Sequence, residues 1–528
     1  MEEFDYVVVG GGSAGCVVAS RLSEDSRVSV CLLEAGGAGN NWVVKAPIGI
    51  AIQVPSKTNN WAFETVPQPG LNGRVGYQPR GKALGGSSAI NAMVYIRGHR
   101  SDYDGWAALG NPGWAYDDVL PYFKKSENNE AVQDGFHGIG GPLNVASIRT
   151  GNPFQDHFLE AGRQLQLPMN ADFNGAHQMG LGVYQVTQKN GERWSAARAY
   201  LEPNLSRSNL KVITGALARK ILFDGKRANG IEFSRDAKTE AVKARREVVL
   251  SSGAFQSPQL MMLSGIGNAA DLKSLGVDVM HHSPGVGQNL QDHIDFAFSY
   301  RSNSLENFGI TFAGLRKLWR EIGRYRREGV GMITSNVAEC GGFLKTDSSL
   351  PVPDIQLHFS MGMADNHGRT RHLGHGFGCH VCLLRPKSRG TVTLSSADPS
   401  VPPRIDPKFY DAPDDLEVMV KAFKITRRIM DAEPLAKWRT SEMYSEHVRS
   451  DDEIRTILRN RSDTVYHPVG TARMGTDDAA VVDPQLRVRG VEGLRVADAS
   501  IMPTLIGGNT NAPSIMIGEK AADMIRAA

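Results

Sequence analysis

Residues 4–15 constrain this chain more than any other stretch. Tyr6, Val7, Val8 and Val9 run without a polar break into Gly10-Gly11-Gly12-Ser13-Ala14-Gly15, and Val17, Val18, Ala19 and Leu22 follow at helical spacing. A strand, a tight glycine turn and a helix are expected in that order. The turn fits the G-x-G-x-x-G dinucleotide fingerprint. Its first glycine permits the sharp turn, the second lets backbone approach a pyrophosphate, and the third lets helix and strand pack closely. Ser13 and Ala14 open the helix, whose unpaired N–H groups and positive dipole end then face the phosphates. A second apolar strand over residues 28–33 ends at Glu34, where an acidic side chain binds a ribose 2′-hydroxyl. A carboxylate there repels a 2′-phosphate, so the expected ligand is FAD or NAD and not NADP.

With 528 residues, the chain exceeds what a single core usually holds, and two domains or one large domain with insertions are expected. Charge is near balance, 59 basic against 56 acidic residues, which gives no support for a nucleic-acid partner. Five cysteines, Cys16, Cys31, Cys340, Cys379 and Cys382, lie mostly within apolar runs and suit reduced, buried thiols. The first strand begins by residue 4 and no apolar run reaches about 18 residues, so a cytoplasmic protein is expected, touching a membrane at most from that side.

Residues 40–80 are rich in Pro, Gly and Asn and lack periodicity, the mark of a lid or a cofactor-covering loop. Strand-like runs return at residues 210–214, 218–223, 230–233 and 247–250. The last flows into Ser251-Ser252-Gly253-Ala254, and Ser257-Pro258 opens a helix, repeating the opening logic. Residues 296–459 change character, with mixed strands and charged amphipathic helices. A short strand at 494–496 and a terminal helix from Pro513 follow. The expected fold is α/β (α+β overall). A Rossmann-like domain is assembled from residues 1–159, 205–295 and 460–528, and a mixed-sheet substrate-binding domain from residues 160–204 and 296–459. An ordinary nicotinamide dehydrogenase usually keeps its dinucleotide domain contiguous.

Four motifs resemble the glucose-methanol-choline family of FAD-dependent oxidoreductases over nearly the whole chain. They are the N-terminal fingerprint, GKALGGSSAINAMVYIRG at 81–98, GAFQSPQLMMLSGIG at 253–267, and the pair HPVGTARMG at 467–475 with GLRVADASIMPTLIGGNTN at 493–511. Within the family the chain is most similar to bacterial alcohol dehydrogenases acting on alkanols and polyethylene glycols, then to choline dehydrogenase. The resemblance implies that Gly10, Gly12, Gly15 and Glu34 hold the ADP half of FAD, with backbone near Ala218 against the adenine. It also implies Gly85, Gly86, Ser87, Asn91 and Ala92 along the flavin, and Asp498 and Ala499 near the pyrophosphate and ribityl. Where some relatives carry a flavin-linked histidine, this chain has Ile90, so non-covalent FAD is expected.

Hydride transfer from an alcohol needs a base for the hydroxyl proton and a group that fixes the oxygen. His467 and Asn511 match the family's catalytic pair, and an ordinary histidine pKa near neutrality suits the base. Trp61, Glu339 and Tyr466 are substrate-pocket candidates, Glu339 by its likeness to a carboxylate that faces the cation in choline-oxidising relatives. Cys379-His380-Val381-Cys382 is not a metal site, because positions i and i+3 of a strand face opposite ways and no second pair completes four ligands. His358, His367, His372 and His375 lack metal spacing and are expected on a loop or sheet surface, some reaching the pocket mouth. The function expected from the resemblance is oxidation of neutral primary alcohols, with electrons passed to a quinone or similar acceptor. The alternatives are an oxidase using O2, a choline dehydrogenase, and a lyase with structural FAD. Residues 310–327 interleave Leu315, Leu318, Trp319, Ile322 and Tyr325 with six basic residues, a make-up able to rest on an anionic membrane or to cover a domain with snorkelling arginines.

Overall fold

The computed structural model describes residues 1–363 and 365–528. Strand β1 (Glu2–Val9) runs through the glycine turn into helix α1 (Ser13–Leu22), and β2 (Val30–Glu34) returns beside β1. Then come β3 (Gly180–Val183), β4 (Leu210–Thr214), β5 (Leu217–Asp224), β6 (Arg227–Arg235), β7 (Lys238–Leu250) and α2 (Gly253–Leu263). The remainder holds β8 (Ile294–Ser302), α3 (Phe312–Glu328), β9 (Ala338–Leu344), β10 (Ile355–Ser360), β11 (Gly374–Leu383) and α4 (Pro413–Asp431). Last are β12 (Arg439–Met443), β13 (Leu494–Val496) and α5 (Asn511–Arg526).

The first sheet has the order β4-β2-β1-β7-β6-β5, with β13 also on β7. Its β4-β2-β1-β7-β13 part is parallel and the β7-β6-β5 part antiparallel. The parallel part is buried on both faces, which is why its strands read as unbroken apolar runs and not as alternation. Val7, Val8, Leu32, Val248 and Leu250 are all inaccessible to solvent. Chain ends meet here: α5 packs on α1 so closely that a Cβ on Gly518 would stand 2.8 Å from the Ala14 carbonyl oxygen. Arg21 also donates to both carboxylate oxygens of the buried Glu519. Helix α5 starts at Asn511, two residues before Pro513, because a proline in the first turn has no intrahelical partner to lose.

The second sheet has the order β12-β8-β11-β10-β9-β3, with two short strands paired to β11 and β8. All its pairings are antiparallel where a mixed sheet was expected. Loops join β9 to β10 and β10 to β11, and a parallel pair would need a crossover element there. One face packs on α4, where Phe423 meets Phe296 and Phe298. Among the described residues, no helix is long and apolar enough to cross a membrane.

Candidate active site

A cavity of about 1150 Å³ is lined by residues of both sheets, running from the glycine turn to His467. That exceeds the usual upper range for a single small ligand, so a cofactor and a substrate have room together.

At one end the lining is mostly backbone. Gly10 has φ +98°, and a Cβ there would sit 2.6 Å from the Ser251 carbonyl oxygen; one on Gly15 would sit 1.9 Å from the Gly10 carbonyl oxygen. Gly86, at φ +52°, would press a Cβ to 2.6 Å from the Gly12 Cα, whereas a Cβ on Gly12 would meet nothing closer than 3.6 Å. The glycines thus close-pack on the protein side, and of these four only Gly12 would hold a Cβ at ordinary contact distance. Gly10, Gly12, Ser13, Ala14, Glu34, Gly86, Ser87, Asn91, Ala92, Ala218, Asp498 and Ala499 line the cavity. Gly15 and Gly85 do not; they serve the packing behind it. Glu34, at the end of β2, accepts from the Gly11 N–H at 2.9 Å and the Gly36 N–H at 2.7 Å. Burial nevertheless pushes its carboxyl up to about 7, against those two donors. A ribose diol supplies the further donors such a group lacks. Asp498 is already saturated: Oδ1 takes the N–H and hydroxyl of Ser500, and Oδ2 takes the Gly253 N–H and the Ser257 hydroxyl. Its carboxylate therefore ties the end of β13 to the start of α2 rather than reaching a phosphate. Ile90 lines the cavity and offers no nucleophile for a covalent link.

The other end is a lattice of side chains. His467 is buried, its backbone N–H held by Asp292 Oδ1 at 2.8 Å. Its Nδ1 lies 3.0 Å from His293 Nδ1, its Nε2 lies 3.2 Å from Asn509 Nδ2, and His293 Nε2 lies 3.2 Å from the Leu384 carbonyl. One assignment of protons satisfies all three contacts. A carbonyl only accepts, so His293 carries its proton on Nε2 and offers Nδ1 as a lone pair; His467 must then donate from Nδ1 and keep Nε2 unprotonated. Gln356 Nε2 donates to Asn509 Oδ1 at 3.0 Å, which turns the Asn509 amide nitrogen toward His467. Burial first, then the neighbouring His293, His358 and Arg80, hold the His467 pKa well below the ordinary value, not near neutrality as the sequence led us to expect. Burial likewise lowers His293 to about 3. The imidazole is thus kept neutral with its acceptor nitrogen in place.

Asn511 lines the same cavity but does not touch His467. Its Oδ1 accepts from the Ser13 hydroxyl at 2.7 Å, which leaves its amide N–H groups as donors. Tyr466 has φ +77°, a strained value for a residue with a Cβ, and its hydroxyl bonds His367 Nδ1 at 2.6 Å. Trp61 lines the cavity, stacked on Phe63 with Lys82 over its ring. Glu339 is a correction: it lies outside the cavity lining. It falls at a register shift in β9, between Ala338 and Cys340, and Thr150, Gln155 and Ser335 all hydrogen-bond its buried carboxylate. His358, His367 and His372 do line the cavity, while His375 pairs with Thr311 outside it. The sequence reading missed Asp292, His293, Asp295, His380 and Asn509. A signal existed for the first three, since polar Gln291-Asp292-His293 lead into β8 and Asp295 interrupts its apolar start, which a purely structural strand does not need.

Two family models, both described as GMC oxidoreductase, match residues 4–295 and 386–518. The chain belongs to the GMC oxidoreductase family, and it is an FAD-dependent oxidoreductase. It is 47% identical over 526 residues to the alcohol dehydrogenase [acceptor] of Pseudomonas putida, covering 99% of this chain and 95% of that one. It is 44% identical to the mitochondrial choline dehydrogenase of Homo sapiens over 99% of this chain and 90% of that one. Among solved structures, pyridoxine 4-oxidase from Mesorbium loti aligns with a TM-score of 0.90 at 30% identity, over 99% of both chains.

Proposed function

We propose that this enzyme oxidises neutral primary alcohols to aldehydes, with His467 as the base for the hydroxyl proton and amide N–H groups of Asn511 and Asn509 fixing the alcohol oxygen. The observation that carries the reading is the hydrogen-bond chain from Gln356 through Asn509, His467 and His293 to the Leu384 carbonyl, which keeps His467 Nε2 unprotonated and bonded to an Asn509 N–H that an alcohol hydroxyl would replace. The glycine turn, Glu34 and the segment around Gly86 would hold FAD, which would supply the two-electron acceptor for the hydride. As His467 takes the proton, its Nδ1–H stays bonded to His293, so the ring does not turn. Anaerobic addition of a primary alcohol to the FAD-loaded enzyme should bleach the flavin; failure of every primary alcohol to do so overturns the proposal and leaves the lyase reading.

The name of the Pseudomonas putida relative supports an acceptor other than oxygen, a quinone or similar carrier, and slow reoxidation of the bleached enzyme in air is expected. Fast reoxidation identifies an oxidase instead. We place the protein in the cytoplasm, touching the inner membrane through α3. That helix has no buried residue; Phe312 is 87% and Trp319 76% exposed, beside Arg316, Arg320, Arg324 and Arg327. Exposed apolar groups flanked by cations fit an anionic lipid surface. Ile310 and Leu318 also line the cavity, so this surface adjoins its mouth. Co-sedimentation with anionic vesicles at low salt is expected, reduced by Phe312→Ser with Trp319→Ser; no binding rules the contact out.

A further inference from the structure

The connection from β10 to β11 forms part of the cavity's outer rim, since Gly368, Arg369 and Thr370 are exposed and yet line the cavity. Asn366 and His367 have φ +45° and +57°, and Gly368 follows at +77°. Two successive residues with a Cβ stay in the left-handed region only where surrounding contacts over-determine them. Those contacts are present. Asp365 Oδ1 accepts from Arg461 Nη2 at 2.7 Å and its Oδ2 from the Tyr444 hydroxyl at 2.7 Å, while the Arg369 guanidinium lies 4.3 Å from the centre of the Tyr77 ring. The strap is thereby fastened on both sides of His367, whose side chain is 8% exposed. Its imidazole packs against two tyrosine rings, at 5.4 Å from Tyr77 and 5.4 Å from Tyr466, and is bonded at both nitrogens. Nε2 lies 3.0 Å from Asp463 Oδ2, and Nδ1 lies 2.6 Å from the Tyr466 hydroxyl. A carboxylate only accepts, so Nε2 carries its proton toward Asp463 and Nδ1 is left to accept from the phenol.

Tyr466 immediately precedes His467, and its own backbone is strained at φ +77°. Three bonds hold it there. Its N–H donates to Thr464 Oγ1 at 2.7 Å, its carbonyl accepts from Arg80 Nη2 at 2.7 Å, and its hydroxyl is held by His367. The first two grip the backbone; only the third grips the side chain. The next N–H along the chain is that of His467, bonded to Asp292 Oδ1. Relaxation of Tyr466 toward an ordinary φ turns the peptide that carries this N–H and draws the His467 ring away from His293 and Asn509. We propose that His367 is a positioning residue for the oxidation: by holding the Tyr466 hydroxyl it keeps the strained Tyr466–His467 peptide, and with it the base, in place. Among the described residues His367 makes no hydrogen bond to His467, so its effect passes through Tyr466. Asp463 fixes the tautomer in which Nδ1 accepts. The inference rests on the reading of His467 as the base.

The test is a double-mutant cycle on the FAD-loaded enzyme, His367→Gly with Tyr466→Phe, and His367→Asn as the conservative variant. Glycine adopts φ +57° without strain, and asparagine tolerates it while keeping an oxygen acceptor, so neither burdens the strap backbone. In anaerobic stopped-flow with 1-pentanol the limiting rate of flavin reduction should fall about tenfold in each single variant, the scale of one lost hydrogen bond, with the apparent Kd for the alcohol within about twofold of the parent's. The double variant should be no slower than the slower single one, because both changes remove the same bond, and His367→Asn should recover part of the rate. A strap that was merely loosened would change the Kd instead and would leave Tyr466→Phe at the parental rate, since that variant keeps the Asp463 and Asp365 ties. A second arm needs no turnover: hydrogen exchange at the Tyr466 and His467 N–H groups, which Pro468 separates from the next amide, should speed up about tenfold in both single variants. If no alcohol reduces the parent's flavin but exchange responds in this way, the reading of the reaction fails and the hold of His367 on this peptide stands. Parental reduction and exchange rates in both single variants overturn the proposal, and so do single effects that add up in the double variant.

Discussion

The two ends of the cavity are built on opposite principles. At the cofactor end the walls are glycine backbone and helix termini, drawn from short contiguous stretches, and the carboxylates there, Glu34 and Asp498, are anchored by N–H and hydroxyl groups. At the substrate end the groups reach in from separate segments: His293 just before β8, Gln356 from β10, His380 from β11, and His467 and Asn509 from the C-terminal stretch. A ligand shared by many proteins is held by local backbone geometry. A substrate peculiar to one is read by side chains that only the fold assembles.

The sharpest test of this division is His467→Ala. Flavin reduction should slow by roughly 10²-fold or more, the scale of a positioned general base, with the flavin spectrum unchanged. Stopped-flow reduction at the parental rate would mean that another group takes the proton. Because His467 is held neutral, the parent's reduction rate should also show no histidine ionisation between about pH 6 and 9.

Glu34 probes the other end. Its carboxyl is raised by burial from 4.5 to about 7, so the folded chain binds that proton more tightly than the unfolded one. The stability this contributes to the FAD-free protein is full below about pH 4.5 and is lost as pH rises through about 7, by about 3 kcal/mol. Thermal unfolding between those pH values should show the fall, and Glu34→Gln should flatten it. Glu34→Ala should weaken FAD retention while the remaining loaded enzyme reduces at nearly the parental rate.

Smaller effects sharpen the substrate end. His293→Phe removes the acceptor that holds His467 in one tautomer, and reduction should slow about tenfold, the scale of one hydrogen bond. His293→Asn, which keeps an acceptor, should recover part of it. If both variants reduce at the parental rate, the tautomer is set elsewhere. Glu339→Gln should lower Tm by a few degrees, because three hydrogen bonds lose a charged acceptor, yet leave the choline to 1-pentanol ratio within about twofold. A large change in that ratio would return Glu339 to the substrate pocket.

What the sequence determined by itself is local. Apolar runs announce β1, β2 and β4 within a few residues and the end of β7 at 247–250, because strand segments buried on both faces tolerate no polar interruption, whereas the polar first part of β7 gave no such signal. The glycine turn and Glu34 follow from spacing alone, since a turn that admits a phosphate needs those residues at those intervals. Tertiary structure decided which face each side chain of the second sheet presents. Glu339 and His380 were equally visible as polar residues in apolar strands, but one step of register sends a side chain to the opposite face, so strand pairing alone put His380 on the cavity and Glu339 behind it. The proton on His467 is likewise a property of the assembly. It depends on a carbonyl at Leu384 and a histidine 174 positions away, and only their meeting in space leaves Nε2 without a proton of its own.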